Sequence, residues 1–272
     1  MPGLFGVALL TAAVLYVAAA GTVRRRGRWW PPGCTTLWLG GLATAAVALT
    51  GPLAREAHHD FTAHMAGHLL LGMTAPLLLV LAAPVTLALR ALPARQARGL
   101  SRILRSLPVR VLTHPVTAGV LNAGGLWVLY TTGVYREMGQ HPWLHVLVHV
   151  HVAATGYLFT AAIIGVDPAP HRPGPRTRAA VLIAFLAAHA ILAKHLYAHP
   201  PAGVPAAGGR TGAELMYYGG DLADVALIVV FCLQWYRSTD PRRRSAAGPR
   251  IPAHRLPGRP WRLPEEARTG AE

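Results

Sequence analysis

The chain has 272 residues, of which 53% are hydrophobic and only 14% charged, and it carries a formal net charge of +15. So few charges exclude the surface of an ordinary soluble protein, and most of the chain must be solvated by lipid. Its two cysteines make neither a disulfide framework nor a Cys-x-x-Cys metal clasp.

About 20 consecutive apolar residues in a helix suffice to cross a bilayer. Seven such windows nearly exhaust the chain. In hydrocarbon each backbone polar group must pair within its own segment, so the pattern predicts an all-α, seven-transmembrane helix bundle. The first window covers residues 3 to 20. It has no positive region before it and Arg24, Arg25 and Arg26 after it, the reverse of a secretory signal, so it is expected to be retained despite the small residues Ala18 to Gly21. The second covers 36 to 53, the third 61 to 83 and the fourth 112 to 133. The first, second and fourth hold no Asp, Glu or Lys and read as scaffold, with Asn122 their main polar exception. The fifth (142 to 165), sixth (179 to 198) and seventh (214 to 236) share nearly all the ionisable groups with the third. Ionisable groups in a membrane are costly and face the bundle interior, which locates function in these four spans. The stretch 200 to 212 is rich in Pro and Gly and is expected to be irregular. From Ser238 to Glu272, six prolines and many arginines without apolar periodicity predict a disordered basic tail, giving domains 1–237 and 238–272.

Charge fixes the orientation. Of the 26 Lys and Arg residues, 22 lie on alternate connections: after the first span, between the third and fourth, between the fifth and sixth, and in the tail. The opposite connections hold only Arg55, Arg136 and Arg210, while Lys194 sits inside a span. The positive-inside rule therefore predicts an external N-terminus and a cytoplasmic tail. Topology explains the charge with no nucleic acid partner, and attraction of the basic loops to anionic lipid is a secondary consequence. Cys34 and Cys232 fall toward cytoplasmic span ends, where packing is their expected role.

The histidines are placed for metal chemistry. His64 and His68 in the third span, and His145 and His149 in the fifth, stand at i, i+4 and share a helical face about 6 Å apart. His141 continues the second of these faces outward, His151 is rotated from it, and His58, His59 and Asp60 stand just outside the third span. The sixth span carries His189 and then His195 and His199, and the seventh an acidic stripe of Glu214, Asp221 and Asp224. Counted inward at about 1.5 Å per residue, His68, His149, His151, His189, Asp221 and Asp224 fall in one layer roughly 10 to 15 Å deep. His64, His145, His195, His199 and Glu214 lie above it as a path from outside. Imidazole ligands suit copper, zinc, iron and nickel, and thioethers such as Met65, Met138 and Met216 select copper(I), although methionine is commonly only a gap-filler. Asp224 alone could instead pair with Lys194, and the acidic stripe could be a proton pathway.

The run His64-Met-Ala-Gly-His68, then Ala75-Pro76, Ala83-Pro84-Val-Thr, His141-Pro-Trp-Leu-His145, His149-Val-His151, Gly165-Val-Asp167-Pro168 and Glu214-Leu-Met216-Tyr-Tyr-Gly-Gly-Asp221, resembles the polytopic CtaG family of cytochrome c oxidase assembly factors. The resemblance covers about residues 58 to 237. It implies seven spans in a bacterial plasma membrane, a non-enzymatic role, copper as the bound metal and cytochrome c oxidase subunits as partners. It also implies His64, His68, His145, His149, His151 and His189 as the metal positions. Asp221 and Asp224 join them by depth, because the carboxylates of this span vary within the family. Two other readings stay open: a b-type haem protein using His68 and His149 as axial ligands, and a proton-coupled metal transporter using the two aspartates.

Overall fold

Proline opens most of the helices, at the first helical position where its missing N–H would be unpaired anyway and its fixed φ is already helical. A computed structural model describes residues 2–169 and 171–239. In chain order the helices are α1 (Pro2–Arg25), α2 (Pro32–Thr50), α3 (Pro52–Glu56) and α4 (Phe61–Leu69). A π-helical turn, Leu70–Thr74, leads from α4 into α5 (Ala75–Leu81). Then follow α6 (Pro84–Ala91), α7 (Ala94–Leu104), α8 (Leu107–Leu112), α9 (Pro115–Thr131), α10 (Val134–Gln140), α11 (Pro142–Ile164), α12 (Pro175–Ala198) and α13 (Ala206–Thr239). All regular structure among the described residues is helical.

Six of these stretches are long and apolar enough to cross a membrane: Gly3–Arg25, Pro32–Glu56, Phe61–Leu81, Pro142–Ile164, Pro175–Ala198 and Ala206–Thr239. The chain is a multi-pass membrane protein. Large apolar side chains such as Leu4, Leu10, Val120, Ile183 and Leu222 lie 65 to 76% exposed, the outward face that lipid requires. The window of the expected fourth span is occupied by α9, whose 17 residues, bounded by His114 and Thr132, are not among these six.

Two stretches differ from the sequence expectation. Residues 84 to 111 form three short helices, because Pro84, Pro93 and Pro108 divide them into pieces. The stretch 200 to 212 is irregular only to Pro205, beyond which α13 has already begun. That helix runs to Thr239 and so takes in the first two residues of the expected tail, the rest of which lies outside the described residues.

The third span is not a plain helix. Pro76 has no N–H for the Gly72 carbonyl, and its ring would collide with that carbonyl in a regular helix, so the chain widens into the π turn just before it. The bulge is packed against α11. A Cβ added to Gly156 would lie 2.2 Å from Gly72 O, so only glycine lets the two backbones meet there.

At the arginine-rich end, Tyr16 donates from its hydroxyl to Ala82 O at 2.7 Å and stacks on Trp38. Arg90 lies over the Trp30 ring at 5.7 Å. Asp167, from the Gly-Val-Asp-Pro turn after α11, caps the start of α6 across 81 residues of sequence. Its carboxylate accepts from Val85 N at 3.1 Å, Thr86 N at 2.7 Å and Thr86 Oγ1 at 2.7 Å. Ala83, just before that cap, sits in the left-handed region at φ 53°. Arg172 donates to Asp167 O and Arg178 to Ile163 O, satisfying carbonyls at and beyond the end of α11.

Candidate metal centre

At the opposite end, α3, α4, α10 and α11 surround an open cleft of about 610 Å³. His58, His59, His64, Tyr135, His145 and His149 are among its lining residues. Asp60 accepts from Thr62 N at 2.9 Å and Ala63 N at 3.4 Å, capping α4 and so fixing where His64 and His68 emerge. On α11, His145 and His149 stack at 4.1 Å between ring centres, as i, i+4 spacing requires, and His58 stacks on His145 at 4.9 Å. His58 thus joins a column of rings running into the cleft, which no helical spacing could reveal because it precedes α4.

Below the column the histidines become buried. His64 Nε2 is hydrogen-bonded to the Tyr130 hydroxyl at 3.1 Å, and its ring packs beside Tyr135. His149 donates Nδ1–H to His145 O at 2.8 Å, which leaves its Nε2 as the nitrogen with a free lone pair. A small cavity of about 20 Å³ touches His64, His68, Tyr130 and His149 together. His68 is 7% exposed and neither of its ring nitrogens has a hydrogen-bond partner. Its ring faces that of His189 at 6.3 Å, and His189, 4% exposed, has an unpartnered Nε2. Buried imidazoles ordinarily find partners. These two rings lie 26° from parallel, each with an unpartnered nitrogen.

Glycines make the space. A Cβ on Gly220 would lie 2.6 Å from His189, and one on Gly125 would lie 2.2 Å from His151 Nε2. His151, however, turns to α9 and donates Nε2–H to Leu121 O at 3.2 Å, which holds its ring against that helix. Asp224 is 6% exposed with an unpartnered Oδ1, but its cavity of about 20 Å³ is shared with Asn122 and Thr160 rather than with histidines. Asp221 is exposed on α13. Lys194 lies over the Tyr217 ring at 5.4 Å and makes no ion pair with Asp224. His195 and His199 stack on each other, with His195 beside Trp127, and do not line the cleft. Met65 and Met216 are fully buried in the apolar core around Leu192 and Leu196. Among the described residues, no three His, Cys, Asp or Glu side chains already converge on one point that could hold an ion.

Tyr135 is outside the spans and half-buried between Phe61 and His64. Burial, reinforced by the Asp60 carboxylate, pushes its phenol up to about 12. It therefore remains a neutral hydrogen-bonding wall of the cleft.

The chain is 36% identical over 194 residues to uncharacterized proteins of Mycobacterium bovis and Mycobacterium tuberculosis, and 34% identical to one of Mycobacterium leprae. Each match covers 69% of this chain but 29% of the relative, so the chain spans less than a third of the curated relatives' length. No solved structure matches. The family model described as cytochrome c oxidase caa3 assembly factor (Caa3_CtaG) matches residues 14–238, and the chain belongs to that family.

Proposed function

We propose that this protein is a copper-binding assembly factor of the cell membrane that supplies copper to cytochrome c oxidase. The observation that carries the reading is His68 facing His189, with both His68 nitrogens and one of His189 buried and unpartnered. Two imidazoles sharing one ion, each nitrogen about 2.0 to 2.1 Å away as in zinc sites, bring their rings to about 6 Å between centres. At 6.3 Å the two rings are near enough to share an ion once side-chain rotation turns an in-plane lone pair of each toward it. His64 and His149 bound the adjoining cavity and complete the ligand set after modest side-chain rotation. His58 and His145 form the outer steps of the path. His151, Asp221 and Asp224 are left out of the set.

Loading and release of an ion need exchangeable ligands, which successive partial imidazole shells provide. No covalent chemistry is required, and the protein acts on oxidase subunits as a donor rather than as an enzyme. The haem alternative is disfavoured by the cavity of about 20 Å³ between His68 and His149, room for an ion or a water and not for a macrocycle. In this reading α9 is the fourth of seven spans, its ends completed by His114 and Thr132. The histidine cleft is external and the arginine-rich end cytoplasmic, following the positive-inside rule.

The test is His68→Ala in the host. The variant should accumulate in the membrane at normal level while oxidase activity falls most when copper is scarce, and added copper should partly restore it. Normal oxidase activity at normal protein level under copper limitation would overturn the proposal. Reporter fusions at Arg98 and Arg176 should read as cytoplasmic, and fusions at Glu137 and Gly208 as external. A cytoplasmic signal at Gly208 would contradict the seven-span arrangement.

A further inference from the structure

Helix α13 presents its most exposed stripe outward: Tyr218, Asp221, Leu222, Val225, Val229 and Cys232. At 3.6 residues per turn these six fall within about 100° of arc. Tyr218 and Leu222 are 71% and 76% exposed. Five of the six suit lipid. Asp221 does not, because it follows Gly220, which packs on His189, nine residues short of the end of α12. That places its carboxylate about 13 Å into the apolar layer. Among the described residues it has no hydrogen bond or ion pair. A carboxylate at that depth facing lipid is strongly disfavoured and calls for a partner.

The neighbouring face of α12 carries the opposite charge. Lys194 is exposed, as is Glu214, and both line an outward groove of about 370 Å³ between α12 and α13 with Tyr217 and Tyr218. One surface thus holds a cation and two anions at nearby depths. A surface complementary to itself fits a second copy related by a two-fold axis, in which each element meets its counterpart's complement.

We propose that the α12–α13 face joins two copies of this chain about an axis along the membrane normal, with Lys194 of each copy reaching Asp221 and Glu214 of the other. The contact covers the membrane-embedded carboxylate, and Tyr218 of each copy enters the groove of the other. Interhelical polar contacts of this kind associate helices in lipid, where apolar burial gives no drive.

The test is the mass of the full-length, metal-free protein in lipid nanodiscs and mild detergent, which makes it independent of copper binding. The wild type should be dimeric. Lys194→Asp and Asp221→Lys should each raise the dimer dissociation constant at least tenfold, and the double exchange should recover most of it. If either charge variant fails to insert, Leu222→Trp, which leaves the charges alone, should still give monomers. On a Cys34→Ser background a bismaleimide should link Cys232 to Cys232 in the wild type and not in Leu222→Trp. A monomeric wild type in every lipid overturns the proposal. So does a dimer indifferent to Lys194→Asp and Leu222→Trp, or a wild type that is monomeric until an oxidase subunit covers this face.

Discussion

Replacing Gly156 by alanine should be among the most damaging single-methyl additions in the bundle. The new Cβ would lie 2.2 Å from Gly72 O and 3.1 Å from Pro76 Cγ, whereas ordinary contacts begin near 3.4 Å. Neither obstacle is a flexible side-chain end, so α11 and the π turn must separate by about 1 Å. Overpacking of this kind costs about 1 to 3 kcal/mol. The π turn begins two residues after His68, and a Cβ on Gly72 would stand 3.4 Å from the His68 ring, so the displacement also moves that imidazole relative to His149. Reversible unfolding in mixed micelles should show the loss, and metal content should fall with it. Gly124→Ala is the control, because nothing lies within 4 Å of its added Cβ, and it should be neutral or stabilise by up to about 1 kcal/mol. If Gly156→Ala is as stable as Gly124→Ala, the close backbone approach does not exist and the packing argument is wrong.

Asp167→Asn keeps the shape of the side chain but removes the charge that receives Val85 N, Thr86 N and Thr86 Oγ1, and should destabilise by about 1 to 3 kcal/mol in the same titration. A loss below about 0.5 kcal/mol would mean that α6 does not depend on this cap. Tyr135, with its phenol raised to about 12 against an unfolded value of about 10, contributes stability that is complete below pH 10. That contribution is lost as pH rises toward 12, because the unfolded chain ionises first. Ultraviolet titration of wild type against Tyr135→Phe should assign the late-ionising tyrosinate, and a difference spectrum rising near pH 10 would contradict the burial.

Much of the bundle is legible in sequence because lipid imposes one rule on every span: the backbone pairs within itself and the apolar run must be long enough. The His145–His149 stack follows likewise from i, i+4 spacing. What spacing cannot give is how each helix is rotated against its neighbours. His151 and Asp224 turn to Leu121 O and to the Asn122–Thr160 cavity, and Asp221 turns outward. Glycines carried part of that missing information: Gly125 and Gly220 are the surfaces against which His151 and His189 rest. Residues 84 to 111 form short helices separated by prolines, which their dense arginines obscure in the sequence. Tyr130 and Tyr135 pack against His64 with no spacing signal in the sequence to mark them.

The copper reading is tested most directly by metal analysis of the purified, copper-exposed protein beside its visible spectrum, for the wild type, His68→Ala, His189→Ala and His151→Ala. The expected result is bound copper without a Soret band in the wild type, a large loss in His68→Ala and His189→Ala, and retention in His151→Ala, whose ring is turned to Leu121 O on α9. Full copper in both His68→Ala and His189→Ala, or a haem spectrum in the wild type, would contradict a copper site between these two buried imidazoles.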